Sequence, residues 1–241
     1  MDGTVFHPSP AEDEEGVKLQ EWCGRKALVF DLDGTLVDTI PDLTVTLNLA
    51  LAEQGLEEVD SDLVEESLHD GLEGSVDAAL KRQAADGTRA ADPALRGELL
   101  RRYDYHYALN VSESSRAFAG VEDVLARLRL QGAALAVCTN KSQVLSERLL
   151  SDLGLISYFD AVIGAASQRP RKPAPQPLWE ALQRLNTEPA GAVLVGDSWV
   201  DVHCAQAAGV DCLIHGAGYG KITTAAPGIE HIFHAYSEWF T

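Results

Sequence analysis

The sequence of 241 residues has no long hydrophobic run, and none of its apolar stretches approaches the roughly 18 residues that a membrane-spanning helix requires. Its first residues are acidic and lack the basic start and the apolar segment of a secretory signal. Cysteine is scarce, and Cys23, Cys138, Cys204 and Cys212 form no C-x-x-C pair of the kind that binds metal. Cys138 and Cys212 lie in strand-like runs and Cys204 lies on a predicted helix. We interpret these three as small core residues of a cytoplasmic protein in a reducing setting.

Basic residues are also few. The chain has 19 lysines and arginines against 37 aspartates and glutamates, which gives a formal net charge of −18. Nucleic-acid backbones and acidic membrane surfaces would repel such a chain, so we expect neither as a partner. The sequence has no internal repeat and no low-complexity tract. Its length allows one well-buried core and a smaller module.

The order of the hydrophobic patterns predicts a core with an insertion. An apolar strand at residues 27–30 is followed, from Leu43 to about Val111, by helical patterns alone. Strands and helices then alternate, which is typical of a parallel sheet with helices on both faces. We therefore predict the α/β class, with a doubly wound, Rossmann-like parallel sheet core and an inserted all-helical cap domain. The predicted parts are a flexible acidic N-terminal tail at residues 1–22, a core at residues 23–42 and 113–241, and a cap at residues 43–112.

Two aspartates stand where the first strand ends. Asp31 and Asp33 follow an apolar run and precede the dipeptide Gly34-Thr35. Open α/β sheets bind ligands just beyond the carboxyl ends of their strands. Charges at such a place are costly unless they bind a cation or take part in chemistry. One aspartate can be a nucleophile and the other a proton donor, whereas the structural alternative is a turn rich in aspartate.

Polar residues also follow two later strands. Thr139 and Asn140 end the run that begins at residue 135, and Asp197 ends the run that begins at residue 192, with Asp201 shortly beyond it. Lys172 lies between these two strands. Each residue also has a structural explanation. Thr139 and Asn140 can cap a helix, Asp197 and Asp201 can be acids at a helix N-terminus, and Lys172 can be an exposed lysine, as we interpret Lys141 and Arg171.

In this order the segments resemble the four motifs of the haloacid dehalogenase-like hydrolase superfamily. The likeness extends over roughly residues 27–220 of the chain. The string from Phe30 to Leu43 resembles the phosphoglycolate phosphatase branch, as do Thr139-Asn140-Lys141 and Gly218-Tyr219. The four structural explanations would all have to coincide in family order, so we favour the functional interpretation.

The resemblance implies a phosphatase that works through an aspartyl-phosphate. Asp31 would attack phosphorus as the nucleophile, and Asp33 would protonate the leaving oxygen and later deprotonate the attacking water. Mg²⁺ suits this chemistry because it prefers oxygen ligands beside phosphate. Its implied ligands are the side chains of Asp31 and Asp197 and the backbone carbonyl of Asp33.

The other motif residues would stabilise these groups. The Thr139 hydroxyl and the backbone amides around Asn140 would bind the phosphoryl oxygens. Lys172 would supply positive charge to both the phosphate and the carboxylate. Asp201 would orient the site without binding the metal itself.

We expect the substrate to be a small phosphorylated metabolite, and 2-phosphoglycolate is the leading candidate. The cap would select it through His69, Asp70 and Gly71, although this stretch departs from the Gly-x-Gly common in phosphoglycolate phosphatases. A phosphomutase, a nucleotidase or a pyrophosphatase on the same scaffold is the alternative enzyme, and a binding module on an inactive fold is the alternative without catalysis. We expect a monomer or a homodimer.

Overall fold

A computed structural model describes residues 22, 24–68, 71–83 and 92–240 of the chain. The strands in chain order are β1 Ala27–Phe30, β2 Val37–Asp38, β3 Arg116–Ala117, β4 Ala134–Ser142, β5 Ala161–Ala165, β6 Ala192–Gly196, β7 Asp211–His215 and β8 His231–Phe233. The α-helices are α1 Ile40–Glu53, α2 Ser61–Ser67, α3 Gly71–Gln83, α4 Pro93–Leu109, α5 Val121–Leu130, α6 Gln143–Asp152, α7 Gln176–Arg184 and α8 Trp199–Ala208. Short 3₁₀ segments are Ile156–Tyr158, Pro189–Gly191 and Tyr236–Phe240.

Six strands form one parallel sheet in the order β5-β4-β1-β6-β7-β8. All four residues of β1 are buried and apolar, as expected for a strand that is covered on both faces. β1 pairs with β4 on one side and with β6 on the other, and Phe30 is level with Val137 and Val195. The carboxyl ends of these three strands therefore meet at one edge of the sheet. Asp31 follows β1 and Asp197 follows β6 there, whereas Thr139 and Asn140 lie in the last part of β4.

The sheet separates two apolar layers. Leu28 and Phe30 of β1 face the layer that contains α5 and the helices between β2 and β3, whereas Val29 faces α7 and α8. Trp239 is fully buried in the first layer, with its ring centre 6.2 Å from that of Phe30. The hydroxyl of Tyr236 donates to the carbonyl oxygen of Thr35 at 2.9 Å. The segment at residues 236–240 thus closes the core beneath the turn that follows β1.

Helices α1–α4 form an insertion, which we call the helical insert, between β2 and β3. These two strands pair antiparallel, with Val37 opposite Ala117. The Asp42 carboxylate in α1 accepts hydrogen bonds from the backbone N–H of Ser114 and Ser115 at 2.8 Å each. The chain therefore enters and leaves the insert at neighbouring points that are bonded to each other.

The predicted α/β class with inserted helices is confirmed, and each predicted strand and helix has a counterpart close to its expected place. The sequence pattern predicts that this strand ends at Cys138, but β4 continues through an irregularity to Ser142. The strands β2, β3 and β8 were not predicted, since two or three residues are too short to show a periodic pattern. The helical insert spans residues 40–109, and its division from the core at residues 42 and 112 stays a prediction.

Cysteines behave as predicted where the structure describes them: Cys138, Cys204 and Cys212 are buried and free. Cys23 and the predicted N-terminal tail, apart from Trp22, lie outside the described residues. Within the described part of the chain, every helix is too short or too polar to cross a membrane.

Candidate active site

The turn after β1 brings Asp31 close to the end of β6. The backbone N–H of Asp31 donates to the carbonyl oxygen of Val195 at 2.8 Å, which continues the strand pairing for one residue. Gly34 closes the turn with a φ of +80°, a conformation that favours glycine. A methyl group at this position would also lie 2.5 Å from Oδ2 of Asp197. Glycine therefore lets the first turn approach Asp197.

Three carboxylates meet in this space. Asp31, Asp197 and Asp201 each offer an oxygen, and these oxygens all lie within 4.8 Å of one another. Burial, opposed by Lys172, raises the pKa of Asp31 to about 6. Burial and the carboxylates of Asp201 and Asp31 raise the pKa of Asp197 well above its ordinary value. Such a concentration of buried negative charge favours a bound cation.

Lys172 contributes a positive charge to this cluster of carboxylates. Its Nζ lies 2.8 Å from Oδ1 of Asp31 and 2.6 Å from Oδ1 of Asp201, and its side chain is 2% exposed. Burial works against the charged lysine, but the carboxylates of Asp201 and Asp31 outweigh it and hold the pKa of Lys172 well above its usual range. One lysine among three carboxylates leaves two negative charges uncompensated if all are ionised.

Both carboxylate oxygens of Asp201 accept hydrogen bonds from neighbouring residues. Oδ1 accepts from Lys172, and Oδ2 accepts from the Ser198 hydroxyl at 2.8 Å and from the N–H groups of Ser198 and Asp197 at 3.2 and 3.3 Å. With Ser198 it forms a capping box at the start of α8. A methyl group at Gly196 would collide with its carboxyl carbon. Asp201 therefore orients Lys172 and the turn after β6, and it has little capacity left for a metal.

Asp31 and Asp197 fit a divalent cation better. Oδ1 of Asp31 is buried, and its partner among the described residues is the Lys172 ammonium at 2.8 Å. Oδ2 of Asp197 accepts from the backbone N–H of Tyr219 at 2.7 Å and of Gly220 at 3.2 Å. Two buried carboxylates with oxygens within 4.8 Å of each other match the oxygen ligands that Mg²⁺ prefers.

Thr139 and Asn140 lie on the neighbouring strand β4. Thr139 is 4% exposed, and its Oγ1 accepts from the backbone N–H of Lys141 at 3.2 Å. The Asn140 side chain binds the backbone of Lys172 at both ends: Nδ2 donates to its carbonyl and Oδ1 accepts from its N–H, both at 2.9 Å. Asn140 therefore fixes the loop that carries Lys172.

The prediction that Lys141 is an ordinary exposed lysine is wrong. Its side chain is 6% exposed, and Nζ donates to Oδ1 and Oδ2 of Asp33 at 2.8 and 3.0 Å. The same Nζ lies 4.6 Å from the ring centre of Tyr107 in α4, a cation–π contact. The sequence pattern carries no signal for this burial, because the partners of Lys141 come from the turn after β1 and from the helical insert. Arg171, by contrast, has an exposed side chain as expected.

The predicted specificity residues are described only in part. His69 and Asp70 lie outside the described residues, and Gly71 is the first residue of α3. Glu73, in the first turn of α3, approaches Arg171 with 4.0 Å between Oε1 and the guanidinium nitrogen. The start of α3 thus lies near the loop that carries Lys172.

Tyr219 links the acidic cluster to the helical insert. Besides the bond from its N–H to Asp197, its hydroxyl donates to Oδ1 of Asp38 at 2.8 Å and accepts from the N–H of Thr39 at 2.7 Å. In the sequence, Tyr219 appeared only as part of the family resemblance. Its backbone N–H bonds to Asp197 and its hydroxyl bonds at the start of α1, so this one residue connects the two places.

A parallel α/β sheet that gathers aspartates, a Thr-Asn pair and a buried lysine at one edge defines a class of phosphoryl-transferring hydrolases. The model of the family described as haloacid dehalogenase-like hydrolase matches residues 28–215. The chain belongs to this family.

Relatives of known sequence and structure are similar over most of their length. A phosphoglycolate phosphatase of Neisseria meningitidis is 38% identical over 200 residues, which are 82% of this chain and 83% of the relative. One of Rhodospirillum rubrum is 35% identical over 212 residues, 88% of each chain. The crystal structure of a protein from Haemophilus somnus, described as a predicted phosphoglycolate phosphatase, matches with a TM-score of 0.80 and 27% identity, covering 89% of this chain and 96% of that one.

Proposed function

We propose that the protein is a Mg²⁺-dependent phosphatase that hydrolyses 2-phosphoglycolate through an aspartyl-phosphate on Asp31. Membership of the family and the names of the relatives support a phosphomonoester hydrolase. The observation that carries the mechanism is the environment of Asp31, which is buried, ion-paired with Lys172 and within 4.8 Å of an oxygen of Asp197.

In the first step Asp31 attacks phosphorus, and the bond from phosphorus to the ester oxygen breaks. Asp33 is two residues beyond Asp31 in the same turn, and it donates a proton to the departing oxygen. In the second step Asp33 takes a proton from water, which attacks the aspartyl-phosphate. Inorganic phosphate leaves and the carboxylate of Asp31 is restored.

The residues around Asp31 offset the charge of the reacting groups. Mg²⁺, held by Asp31, Asp197 and the backbone carbonyl of Asp33, would neutralise the repulsion between carboxylate and phosphate when bound. Lys172 adds a fixed positive charge, which ion pairs with both Asp31 and Asp201 hold in place. The Thr139 hydroxyl and the backbone N–H of Asn140 bind phosphoryl oxygens.

The helical insert acts as the cap and selects the substrate, a role that the approach of Glu73 to Arg171 supports. Closing the site would exclude water from the aspartyl-phosphate and reduce the screening of its charges. The paired strands β2 and β3 provide the connection about which the insert moves.

Release of inorganic phosphate over a panel of esters tests the proposal. With Mg²⁺, 2-phosphoglycolate should give the highest kcat/KM in a panel that also contains sugar phosphates, nucleotides and pyrophosphate. Excess chelator should abolish activity and added Mg²⁺ should restore it. Asp197→Ala should sharply raise the Mg²⁺ concentration needed or abolish activity, whereas Asp123→Ala, at an exposed aspartate in the first turn of α5, should not.

Two outcomes would contradict the proposal. Full activity in excess chelator would remove the metal from the mechanism. A preference for a sugar phosphate, a nucleotide or pyrophosphate would be compatible with the phosphatase chemistry but would show that 2-phosphoglycolate is not the preferred substrate.

A further inference from the structure

A second polar cluster lies beside Asp33, on the side of the helical insert. It consists of Lys141 from the core and of Tyr103 and Tyr107 from α4, and we call it the Lys-Tyr cluster. The two tyrosines are four residues apart and so lie on the same face of the helix. Their side chains are 0% and 1% exposed. Lys141 contacts both the Tyr107 ring and the Asp33 carboxylate, so the cluster adjoins the proposed proton donor.

The two phenol groups of this cluster lack partners. The hydroxyl oxygens of Tyr103 and Tyr107 are buried and form no hydrogen bond with any described residue. Buried hydroxyls without a partner destabilise a fold, so two of them at one place indicate a ligand that brings acceptor oxygens. Burial, together with the charge of Asp33, raises the pKa of both phenols, which keeps them as donors.

The ion pair of Lys141 with Asp33 adds a constraint. To protonate the leaving oxygen, Asp33 has to turn from Lys141 toward the ester. The Lys141 ammonium would then remain nearly buried with the Tyr107 ring as its described partner, and this cation–π contact offsets less of the cost of burial than a carboxylate does. A second anion placed at Lys141 removes this penalty, and a substrate can bring that anion with it.

We propose that Lys141, Tyr103 and Tyr107 form a binding subsite for a second anionic group of the substrate, a carboxylate located just beyond the leaving oxygen. This inference rests on the proposed phosphatase function and extends it. The ammonium and the two phenols present three donor groups, and a carboxylate offers two oxygens that accept them. When the carboxylate binds, it replaces Asp33 as the partner of Lys141 and frees Asp33 for the ester oxygen.

The subsite accounts for a preference among phosphate esters. In 2-phosphoglycolate the carboxyl carbon is two bonds from the leaving oxygen, which places the carboxylate next to the residue that protonates that oxygen. An ester with a neutral group, such as ethyl phosphate, leaves Lys141 paired with Asp33. The enzyme should therefore turn over carboxylate esters faster than neutral esters of the same size.

Two matched pairs of substrates test this inference. They are 2-phosphoglycolate with ethyl phosphate, and 3-phosphoglycerate with glycerol 3-phosphate, and the quantity measured is the ratio of kcat/KM within each pair. Tyr103→Phe and Tyr107→Phe should each lower this ratio by about tenfold or more, mainly through a higher KM for the carboxylate ester. Tyr105→Phe is the matched control, since Tyr105 lies on the same helix with 52% exposure, and it should leave the ratio unchanged.

Lys141 gives the larger effect. Lys141→Met should lower the ratio at least about 30-fold, because it removes one partner of a buried charge pair. Lys141→Arg keeps the positive charge, so this variant should retain part of the preference for the carboxylate ester. Thermal unfolding separates binding from folding: the Tyr→Phe variants should unfold at the wild-type temperature or above, since each removes a buried hydroxyl that has no partner. The Tyr→Phe variants therefore still test the subsite if Lys141→Met fails to fold.

Three results are decisive. If the variants lower kcat/KM equally for both members of a pair, the cluster only positions Asp33 and the subsite does not exist. If the wild type shows no preference for carboxylate esters in either pair, the subsite is again refuted, although the phosphatase function stands. If 2-phosphoglycolate is not hydrolysed but the phosphoglycerate pair behaves as expected, the proposed substrate fails and the subsite holds.

Discussion

Replacing Asp31 by asparagine should stabilise the metal-free protein while it abolishes turnover. An amide cannot form the acyl-phosphate, so phosphate release should fall to background. The expected gain in stability arises because Asp31 is ionised in a buried site beside two other carboxylates. Burial, which Lys172 only partly offsets, raises its pKa from 3.8 to about 6.

The pKa shift sets the size of the effect. The rise of the Asp31 pKa from 3.8 to about 6 corresponds to a free energy of about 3 kcal/mol. The folded state keeps this proton to a higher pH than the unfolded chain, so wild-type stability falls as pH rises through the window between these two values. The advantage of Asp31→Asn should therefore be about 1 kcal/mol at pH 4.5 and approach about 3 kcal/mol at pH 7.5.

Urea unfolding in EDTA at these two pH values measures the effect, with tryptophan fluorescence as the signal because Trp239 is fully buried. Asp123→Asn, at an exposed aspartate of α5, is the control and should change little. Mg²⁺ should stabilise the wild type more than the variant, since the variant has lost a ligand. A variant less stable than the wild type at pH 7.5 in EDTA would show that the ion pair with Lys172 outweighs the burial of Asp31.

Three further substitutions follow from contacts at the site. With p-nitrophenyl phosphate, whose leaving group needs little protonation, Asp33→Asn should accumulate aspartyl-phosphate, which acid quenching and trapping would detect. Asn140→Ala frees the backbone of Lys172 at both ends, and should lower kcat by up to about 100-fold through misplacement of the lysine. Tyr219→Phe keeps the ring but removes the hydroxyl bonded to Asp38 and Thr39, and should lower the free energy of unfolding by about 1–3 kcal/mol.

Each of these has a result that contradicts it. No more trapped intermediate in Asp33→Asn than in the wild type would argue against a shared acid and base. Wild-type kcat in Asn140→Ala would mean that the loop holds Lys172 without this side chain. An unchanged urea midpoint in Tyr219→Phe would show that water replaces the hydroxyl at no cost.

The motif residues could be placed from the sequence because each follows an apolar run that becomes a buried strand. In a parallel sheet the carboxyl ends of such strands share an edge, so Asp31, Thr139 and Asp197 were expected near one another. The structure brings oxygens of Asp31 and Asp197 within 4.8 Å and places Thr139 on the strand beside β1. The alternation of strands and helices sufficed for the fold class in the same way. These inferences depend on local patterns, which a single sequence contains.

What could not be foreseen depends on contacts between distant segments. The burial of Lys141 is created by Asp33 and by Tyr107 of the helical insert, and no spacing in the sequence encodes that meeting. The same holds for the side chain of Asn140, which binds the backbone of Lys172. The strand β8 and the segment at residues 236–240 are too short for their patterns to stand out, although they complete the core beneath the first motif.

The position of β1 has a consequence for how the protein is made. It is synthesised before the other strands of the sheet, yet its neighbours β4 and β6 come much later in the chain, since Phe30 pairs with Val137 and Val195. Trp239 and Tyr236, which pack beneath it, come later still. On the ribosome the helical insert can form its local contacts early, whereas β1 can pair only after β4 and β6 have been synthesised. For most of its synthesis the nascent chain therefore holds β1 and Asp31 without the strands that flank them in the folded protein.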